Sequence, residues 1–410
     1  MNLKSLIRLL KTSPWLAPVL AGINAVLFLT DVVAILITPK PKNTKKTLLV
    51  IRLDVLGDYL LFRNYLRVIR QSARYQHHRL VFAGNSAVKS IAETFDGDVI
   101  DEFIWTDIYK LSTQPVFRFR FVRQLRQAGA DVVFCPTFSR VLVLDDFLAW
   151  ASGATERVGC QTNYVNIKQW EASFGSRLYT RLIDSGPGIV FEMERNRRIA
   201  EGFLQEPMLP QPPLLAAEKA KPVSVPARFV VFSLGAGQDF RIWPAERFAA
   251  IADDFLTQHP DYELVLTGAP NEKGYADAFL NTVLHQNKIT DLTGQLSLPE
   301  LVFVLTHASG LLTNETGIVH IAASTETPTV VISQGKSLVR WHPYPATFGT
   351  YIQHLYPDFV EQHRADLSKI ASQFNPESPY LITDISVEKV RKAIQNRLNR
   401  PKKISNSHTY

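Results

Sequence analysis

The spacing of apolar residues changes from that of a strand to that of a helix within residues 228–259, RFVVFSLGAGQDFRIWPAERFAAIADDFLTQH. This stretch begins with an apolar run of the length expected for a buried strand. A loop containing Gly235 and Gly237 follows. From Trp243 the apolar residues recur at helical spacing, with Pro244 in the first turn of the helix. The stretch therefore predicts one strand–loop–helix unit of a parallel sheet.

The same alternation occurs on both sides of a proline-rich segment, residues 206–226, which is the best linker candidate. It predicts an α/β protein with two similar halves, and with ligands bound in a cleft at the carboxyl ends of the strands. The predicted domains are an N-terminal segment (1–46), a first α/β domain (47–205), a second (227–384), and a C-terminal helix and tail (385–410).

Charge is concentrated at the N-terminus. The net charge is +7, and residues 1–46 contain seven Lys or Arg against one acid, Asp31, which leaves about +1 for the rest by subtraction. A neutral body with a basic, apolar start favours an anionic membrane surface over nucleic acid. Residues 15–37 are long enough to cross a bilayer, but Asp31 weakens that prediction, and a buried helix covering the first domain is the alternative.

Other motifs carry little weight. QGKS (334–337) lacks the first glycine of a P-loop, and GAGQDF lacks the third glycine of a dinucleotide fingerprint, which disfavours a nicotinamide enzyme. DGD (96–98) is more simply a turn than a metal site. The histidines lack metal-ligand spacing, so no metal or other cofactor is predicted. The two cysteines indicate no disulfide framework and favour a reducing compartment.

Three loops in the second half follow predicted strands; two of them suit an anionic ligand, and the carboxylate of the other could accept hydrogen bonds from ribose hydroxyls. A diphosphate-binding site typically combines a loop of small residues, a guanidinium group and the start of a helix. Each residue also has an ordinary structural interpretation, such as a turn glycine, a helix cap, a core histidine or a solvated charge. The candidates are Gly235, Ala236, Gly237 and Arg241 in the first loop, Glu272 in the second, and Thr316, Gly317 and His320 in the third.

In the first half, RLDVLGDYLL places Asp58 directly after Gly57 where a predicted strand turns into a helix. A helix N-cap is the ordinary interpretation of such an aspartate. A general base is the alternative, because glycine allows an acceptor hydroxyl to come close. We predict that Asp58 performs both roles.

Taken in order, these blocks resemble glycosyltransferase family nine, the ADP-heptose:lipopolysaccharide heptosyltransferases. The most specific are Arg-x-Trp-Pro, beginning at Arg241, and Asn-Glu-Thr-Gly-x-x-His, residues 314–320. The resemblance runs from about Thr47 to Ile332. It implies a GT-B fold with two Rossmann-like domains, the donor on the C-terminal one, and metal-independent inversion at the anomeric carbon.

By position, the resemblance assigns Asp58 as the base, Arg241 to the donor phosphates and Glu272 to the ribose, with Thr316, Gly317 and His320 on the phosphate side. Two departures affect substrate identity. Glu315 stands where the family usually has Asp near the transferred sugar, and FRNYLR replaces the common Thr-x-Pro after Asp58. Acceptor contacts are predicted for Arg52, Gly57 and Arg63.

The sequence thus predicts an inverting transferase at the cytoplasmic face of a bacterial inner membrane, with a nucleotide-sugar donor and a lipopolysaccharide or glycolipid acceptor. The basic helix FRFRFVRQLR, residues 117–126, either faces that membrane or is solvated. The alternatives are a membrane-docked binding protein without turnover, a family member using another sugar, and a nucleotide-sugar epimerase or dehydrogenase.

Overall fold

The computed structural model describes residues 17–41, 44–336, 338–345, 348, 351–373 and 378–398. They form two compact units. The first comprises the described residues up to Pro187 together with Met193–Gln211, and the second comprises Gly188–Glu192 and the described residues from Pro212 onward. The break at Gln211 and Pro212 lies inside the predicted linker, and the predicted segments 1–46 and 385–410 lie partly outside the described residues.

The first unit contains a six-stranded parallel sheet. Its strands are β1 Thr47–Arg52, β2 Arg79–Asn85, β3 Glu102–Thr106, β4 Val132–Phe134, β5 Glu156–Cys160 and β6 Arg181–Ile183. They lie in the order β3-β2-β1-β4-β5-β6. All six residues of β1 are buried, as expected for a central strand covered on both faces.

The second unit repeats this arrangement. Its strands are β7 Phe229–Ser233, β8 Glu263–Thr267, β9 Ile289–Asp291, β10 Leu311–Asn314, β11 Thr329–Ile332 and β12 Ile352–Leu355. The order β12-β11-β10-β7-β8-β9 is the same topology read from the other edge. In each sheet the strand order reverses between two neighbours, β1 and β4 or β7 and β10, and the loops there are where ligands bind in such folds.

Helices alternate with the strands along the chain. The helices of the first unit are Ala17–Ile37, Leu56–Phe62, Asn64–Gln71, Lys89–Asp96, Ile108–Thr113, Pro115–Gln127, Phe147–Ala151, Gln169–Ser176 and, starting at the unit boundary, Glu192–Leu204. Those of the second are Ala245–Gln258, Lys273–Leu280, Leu298–His307, Ile318–Ser324, Asp358–Gln362, Leu367–Gln373 and Val387–Leu398. The sequence prediction of two α/β halves is confirmed at this level.

The apolar N-terminal run forms the helix Ala17–Ile37, which packs against the basic helix Pro115–Gln127. Asp31 accepts hydrogen bonds from Arg118 at 2.7 and 2.6 Å, and both side chains are fully buried. The basic helix is amphipathic, with Phe121, Val122 and Leu125 buried together with Arg118. Within the part of the chain that the structure describes, no helix has the length and hydropathy that a membrane span requires.

Candidate active site

In the second unit, Asn314 at the end of β10 connects the two most specific sequence blocks. Its Nδ2 donates to the Leu234 carbonyl at 2.6 Å, and its Oδ1 accepts from the Trp243 amide at 3.1 Å. Asn314 and Trp243 are both fully buried. Because these bonds cross between neighbouring strands at the reversal of strand order, Asn314 fixes the loop after β7 against the end of β10.

That loop carries the glycines. A Cβ at Gly235 would clash with the Glu272 carboxylate, so that carboxylate can occupy its present position only because residue 235 has no side chain. Glu272 Oε2 in turn accepts a hydrogen bond from the Ala269 amide at 2.8 Å. Gly237, by contrast, is exposed, and a Cβ there would meet no atom within 4 Å. The structure therefore brings Gly235 and Glu272 together, beside the half-buried Ala236 and the open position at Gly237.

Arg241 ends the short 3-10 helix Asp239–Arg241 and points its charge toward the end of β10. Its Nη1 lies 3.8 Å from Oε1 of Glu315. Its Nε is buried and has no hydrogen-bond partner among the described residues. A buried guanidinium nitrogen without an acceptor is unfavourable in isolation, and it is the kind of donor that an anionic ligand satisfies.

Glu315 is largely buried and is held through one oxygen. Oε2 accepts from the Ser333 hydroxyl and lies 2.8 Å from His342 Nε2. Burial raises the pKa of Glu315, but the charges of His342 and Arg241 and the hydrogen bonds from His342 and Ser333 outweigh it, and the pKa falls to about 2. The carboxylate is therefore ionised at neutral pH.

His342 is a site residue that the sequence interpretation missed. Its Nε2 lies 2.6 Å from the Lys336 carbonyl as well as 2.8 Å from Glu315, and since both partners are acceptors, Nε2 carries a proton. Nδ1 lies 2.8 Å from the Tyr356 hydroxyl, which fixes the ring. Lys336 and the downstream His342 are thus part of the site, although their only sequence signal was an incomplete P-loop.

Thr316 and Gly317 directly precede the helix Ile318–Ser324, and His320 lies in its first turn, as predicted. His320 Nδ1 lies 2.6 Å from the Tyr344 hydroxyl. Burial lowers the pKa of His320 to about 4, with Glu315 opposing the shift and His342 adding to it. His320 is therefore neutral at pH 7 and acts as a hydrogen-bonding group rather than a cation.

In the first unit, the prediction that Asp58 caps its helix is wrong. The helix Leu56–Phe62 has Val55 at the N-cap position, with no side-chain cap bond. Asp58 is the third helical residue, half-buried beside Gly57 in the first turn. It is still favoured there in ionised form, because the helix N-terminus attracts negative charge.

The two arginines predicted to contact an acceptor have structural partners instead. Arg63 is buried and donates to both oxygens of Asp96, at 2.9 and 2.6 Å. Arg52 is buried at the end of β1, where it bonds the Pro136 carbonyl and Asn196 Oδ1 at 3.2 Å each. These contacts give both side chains roles in holding the first unit together, and the predicted acceptor contacts stay a prediction.

Two further aspartates of the first unit, Asp54 and Asp145, interact with each other electrostatically. Asp54 is paired with Arg52 Nε at 3.2 Å. Asp145, in the π-helical turn Leu142–Asp146, is buried, and burial together with the charge of Asp54 raises its pKa to about 7. Among the described residues, no cluster of three or more His, Cys, Asp or Glu side chains is arranged to hold a metal ion.

Comparison with known proteins places these features in a family. The model of glycosyltransferase family 9 (heptosyltransferase) matches residues 160–368, about half of the chain. Lipopolysaccharide heptosyltransferase 3 of Escherichia coli is 28% identical over 119 residues, which are 28% of this chain and 34% of that protein. The chain therefore matches only about a third of that relative's length.

Solved structures share the fold over most of the chain. A family 9 glycosyltransferase from Veillonella parvula DSM 2008 has a TM-score of 0.66 at 19% identity, covering 87% of this chain and 98% of that one. The E. coli heptosyltransferase WaaC with ADP has a TM-score of 0.63 at 16% identity, covering 86% and 99%. At these identities the likeness establishes the architecture.

Proposed function

The chain belongs to glycosyltransferase family 9, and we propose that it transfers a sugar, heptose from ADP-heptose, to a lipopolysaccharide core or a related glycolipid. The structurally similar WaaC binds ADP, and the matched curated relative is a lipopolysaccharide heptosyltransferase. The observation that carries the proposal in this chain is Arg241, whose buried Nε has no partner among the described residues and whose Nη1 lies near Glu315.

The proposal assigns the donor to the second unit. Negative charge develops on the leaving diphosphate during glycosyl transfer, so donors fixed beside it lower the barrier. Arg241 supplies the charge. Gly237 has no side chain and has open space around its Cβ position, which leaves room for the phosphates to approach the backbone. Glu272, held against Gly235, is placed to accept from ribose hydroxyls. Glu315 takes a hydroxyl of the transferred sugar.

Asp58 is the proposed general base. A single displacement at the anomeric carbon needs one group to accept the proton of the attacking hydroxyl, and such a reaction inverts the configuration. The ionised Asp58 at a helix start can accept that proton, and Gly57 beside it carries no side chain to hinder the acceptor. The positive charge of Arg241 takes the place that a divalent cation has in metal-dependent transferases.

We also propose that the enzyme works at the cytoplasmic face of the inner membrane. The support is the charge of residues 1–46, +6, next to an apolar helix, together with an acceptor that is itself a membrane lipid.

The decisive experiment is product analysis with purified full-length protein, a panel of ADP- and UDP-sugars and a lipopolysaccharide core acceptor. We expect a heptose product whose anomeric configuration is opposite to that of the ADP-heptose supplied, formed with EDTA present. Binding of ADP-heptose with no product from any acceptor would instead support the binding-protein alternative. Absence of ADP binding would refute the proposed site.

A further inference from the structure

The helix Ala17–Ile37 presents two different apolar faces. One face, which includes Leu27 and Ala34, is buried in the first unit. The other is exposed, with each apolar side chain between 39% and 76% accessible. We call it the apolar stripe. Its members are Val19, Ile23, Val26, Leu29, Val33, Leu36 and Ile37.

Three contacts determine which face of the helix Ala17–Ile37 packs against the rest of the first unit. Asp31 and Arg118 form a buried, doubly hydrogen-bonded ion pair. Phe28 stacks on Trp150 with ring centroids 5.6 Å apart and lies 5.0 Å from the Phe147 ring. Breaking a buried pair by rotating the helix would leave two uncompensated charges, so the rotation of the helix is determined. The apolar stripe consequently stays turned away from this packing face.

The described basic residues that follow this helix in the chain, and those exposed on the helix packed against it, carry positive charge. Asp31 is the only acid in residues 1–46, and it is buried and neutralised by Arg118. Lys45 and Lys46 after the helix are exposed, as are Arg120 and Arg123 on the helix that packs against it. A second copy of this chain would bring like charges together around the stripe, whereas an anionic lipid surface would neutralise them.

From this combination we infer that the helix Ala17–Ile37 lies in the plane of an anionic bilayer, with the apolar stripe inserted at the boundary of headgroups and acyl chains. The inference rests on the membrane part of the proposed function and specifies how the contact is made. Because the Asp31 face remains on the protein, the helix docks without crossing. Apolar burial and the attraction between lysines or arginines and anionic headgroups act together in such docking.

The first test is flotation of full-length protein with vesicles of phosphatidylcholine alone or with 30% phosphatidylglycerol. We expect binding to the anionic vesicles and release by high salt. The triple variant Val26→Ser, Leu29→Ser and Val33→Ser should bind at least about tenfold more weakly. Leu284→Ser is the matched control, since Leu284 is 82% exposed in the second unit. Binding of the triple variant to anionic vesicles at the wild-type level would overturn the inference. So would wild-type protein that resists alkaline extraction from the vesicles, since such resistance indicates a spanning segment.

A second test measures how deeply the apolar stripe enters the bilayer. Cys135 and Cys160 are both fully buried, so a cysteine introduced by Leu29→Cys can be labelled selectively with an environment-sensitive dye. We expect a blue shift of emission on anionic vesicles and quenching by spin-labelled lipids. The same dye after Leu284→Cys should show neither. A dye at position 29 that stays in water while the protein is bound would overturn the inference.

Two outcomes separate this inference from the proposed function. If the triple variant keeps wild-type ADP-heptose binding and transfer to a detergent-dispersed acceptor but loses vesicle binding, the stripe serves docking alone, as inferred. If the wild-type protein forms a dimer that the triple variant loses, and neither binds vesicles, the stripe pairs two copies and the inference is wrong while the proposed function stands.

Discussion

Asp58→Asn is the substitution that tests the proposed chemistry most directly. Asn has nearly the same shape and cannot accept a proton from the acceptor hydroxyl. Because Asp58 lies in the first turn without being the cap, the interaction of its charge with the helix N-terminus stabilises the helix by about 0.3–1 kcal/mol, and the substitution loses this interaction. For a unit of this size, such a change lowers the melting temperature by roughly 1–4 °C.

Loss of a general base has a much larger effect on turnover. Base catalysis contributes about 10²- to 10⁴-fold, equivalent to about 2.7–5.4 kcal/mol of activation free energy. Steady-state kinetics at saturating donor should therefore show kcat reduced by that factor, with ADP affinity by calorimetry unchanged. Asp98→Asn, which removes an exposed carboxylate paired with Arg67, is the control and should be silent. Turnover per folded molecule close to wild type would refute the assignment of Asp58.

The remaining predictions concern the donor site and the N-terminal helix. Arg241→Ala should raise the donor KM or lower kcat by the equivalent of about 1.5–3 kcal/mol, whereas Arg228→Ala on the exposed surface should not. Glu272→Ala should weaken binding of ADP itself, and unchanged calorimetric affinity in both site variants would contradict the site. Asp31→Ala should destabilise the first unit by about 3–5 kcal/mol in a denaturant titration, because Arg118 is left buried and unpaired; an unchanged midpoint would show that the pair contributes nothing.

The strands and their class could be predicted because the signal is local. The runs LLVI and FVVF are uniformly apolar since both sheet faces are covered, and the structure places them in β1 and β7. The loops after β7, β8 and β10 could be proposed as one site because parallel strands end at a common edge. In the structure the loop after β7 meets the loop after β8 through Gly235 and Glu272 and the loop after β10 through Arg241 and Glu315, and their role in donor binding stays a prediction.

What escaped prediction depends on pairing between distant residues. Asp31 and Arg118 are 87 positions apart, so the sequence showed an acid inside an apolar helix without its partner. Arg63 looked available for an acceptor, although Asp96 satisfies it 33 residues later. The prediction of a cap at Asp58 failed for another reason, since the N-cap is Val55 and the helix begins three residues earlier than a cap at Asp58 would require.

Glu315 decides how the departure from the family pattern should be understood. A carboxylate one methylene longer than the family's usual Asp has more rotamers, and without support from its neighbours it would favour the binding-protein alternative. Here Ser333 and His342 hold Oε2, while Oε1 lies 3.8 Å from Arg241. Glu315→Asp shortens the side chain and should break the contact with His342. Because hydrogen bonds to charged groups contribute about 1.5–3 kcal/mol, kcat/KM for the native donor should fall by at least about tenfold. The affinity for ADP should not change. Higher activity in the aspartate variant than in the wild type would mean that Glu315 impairs a site built for Asp, and would favour the binding-protein alternative.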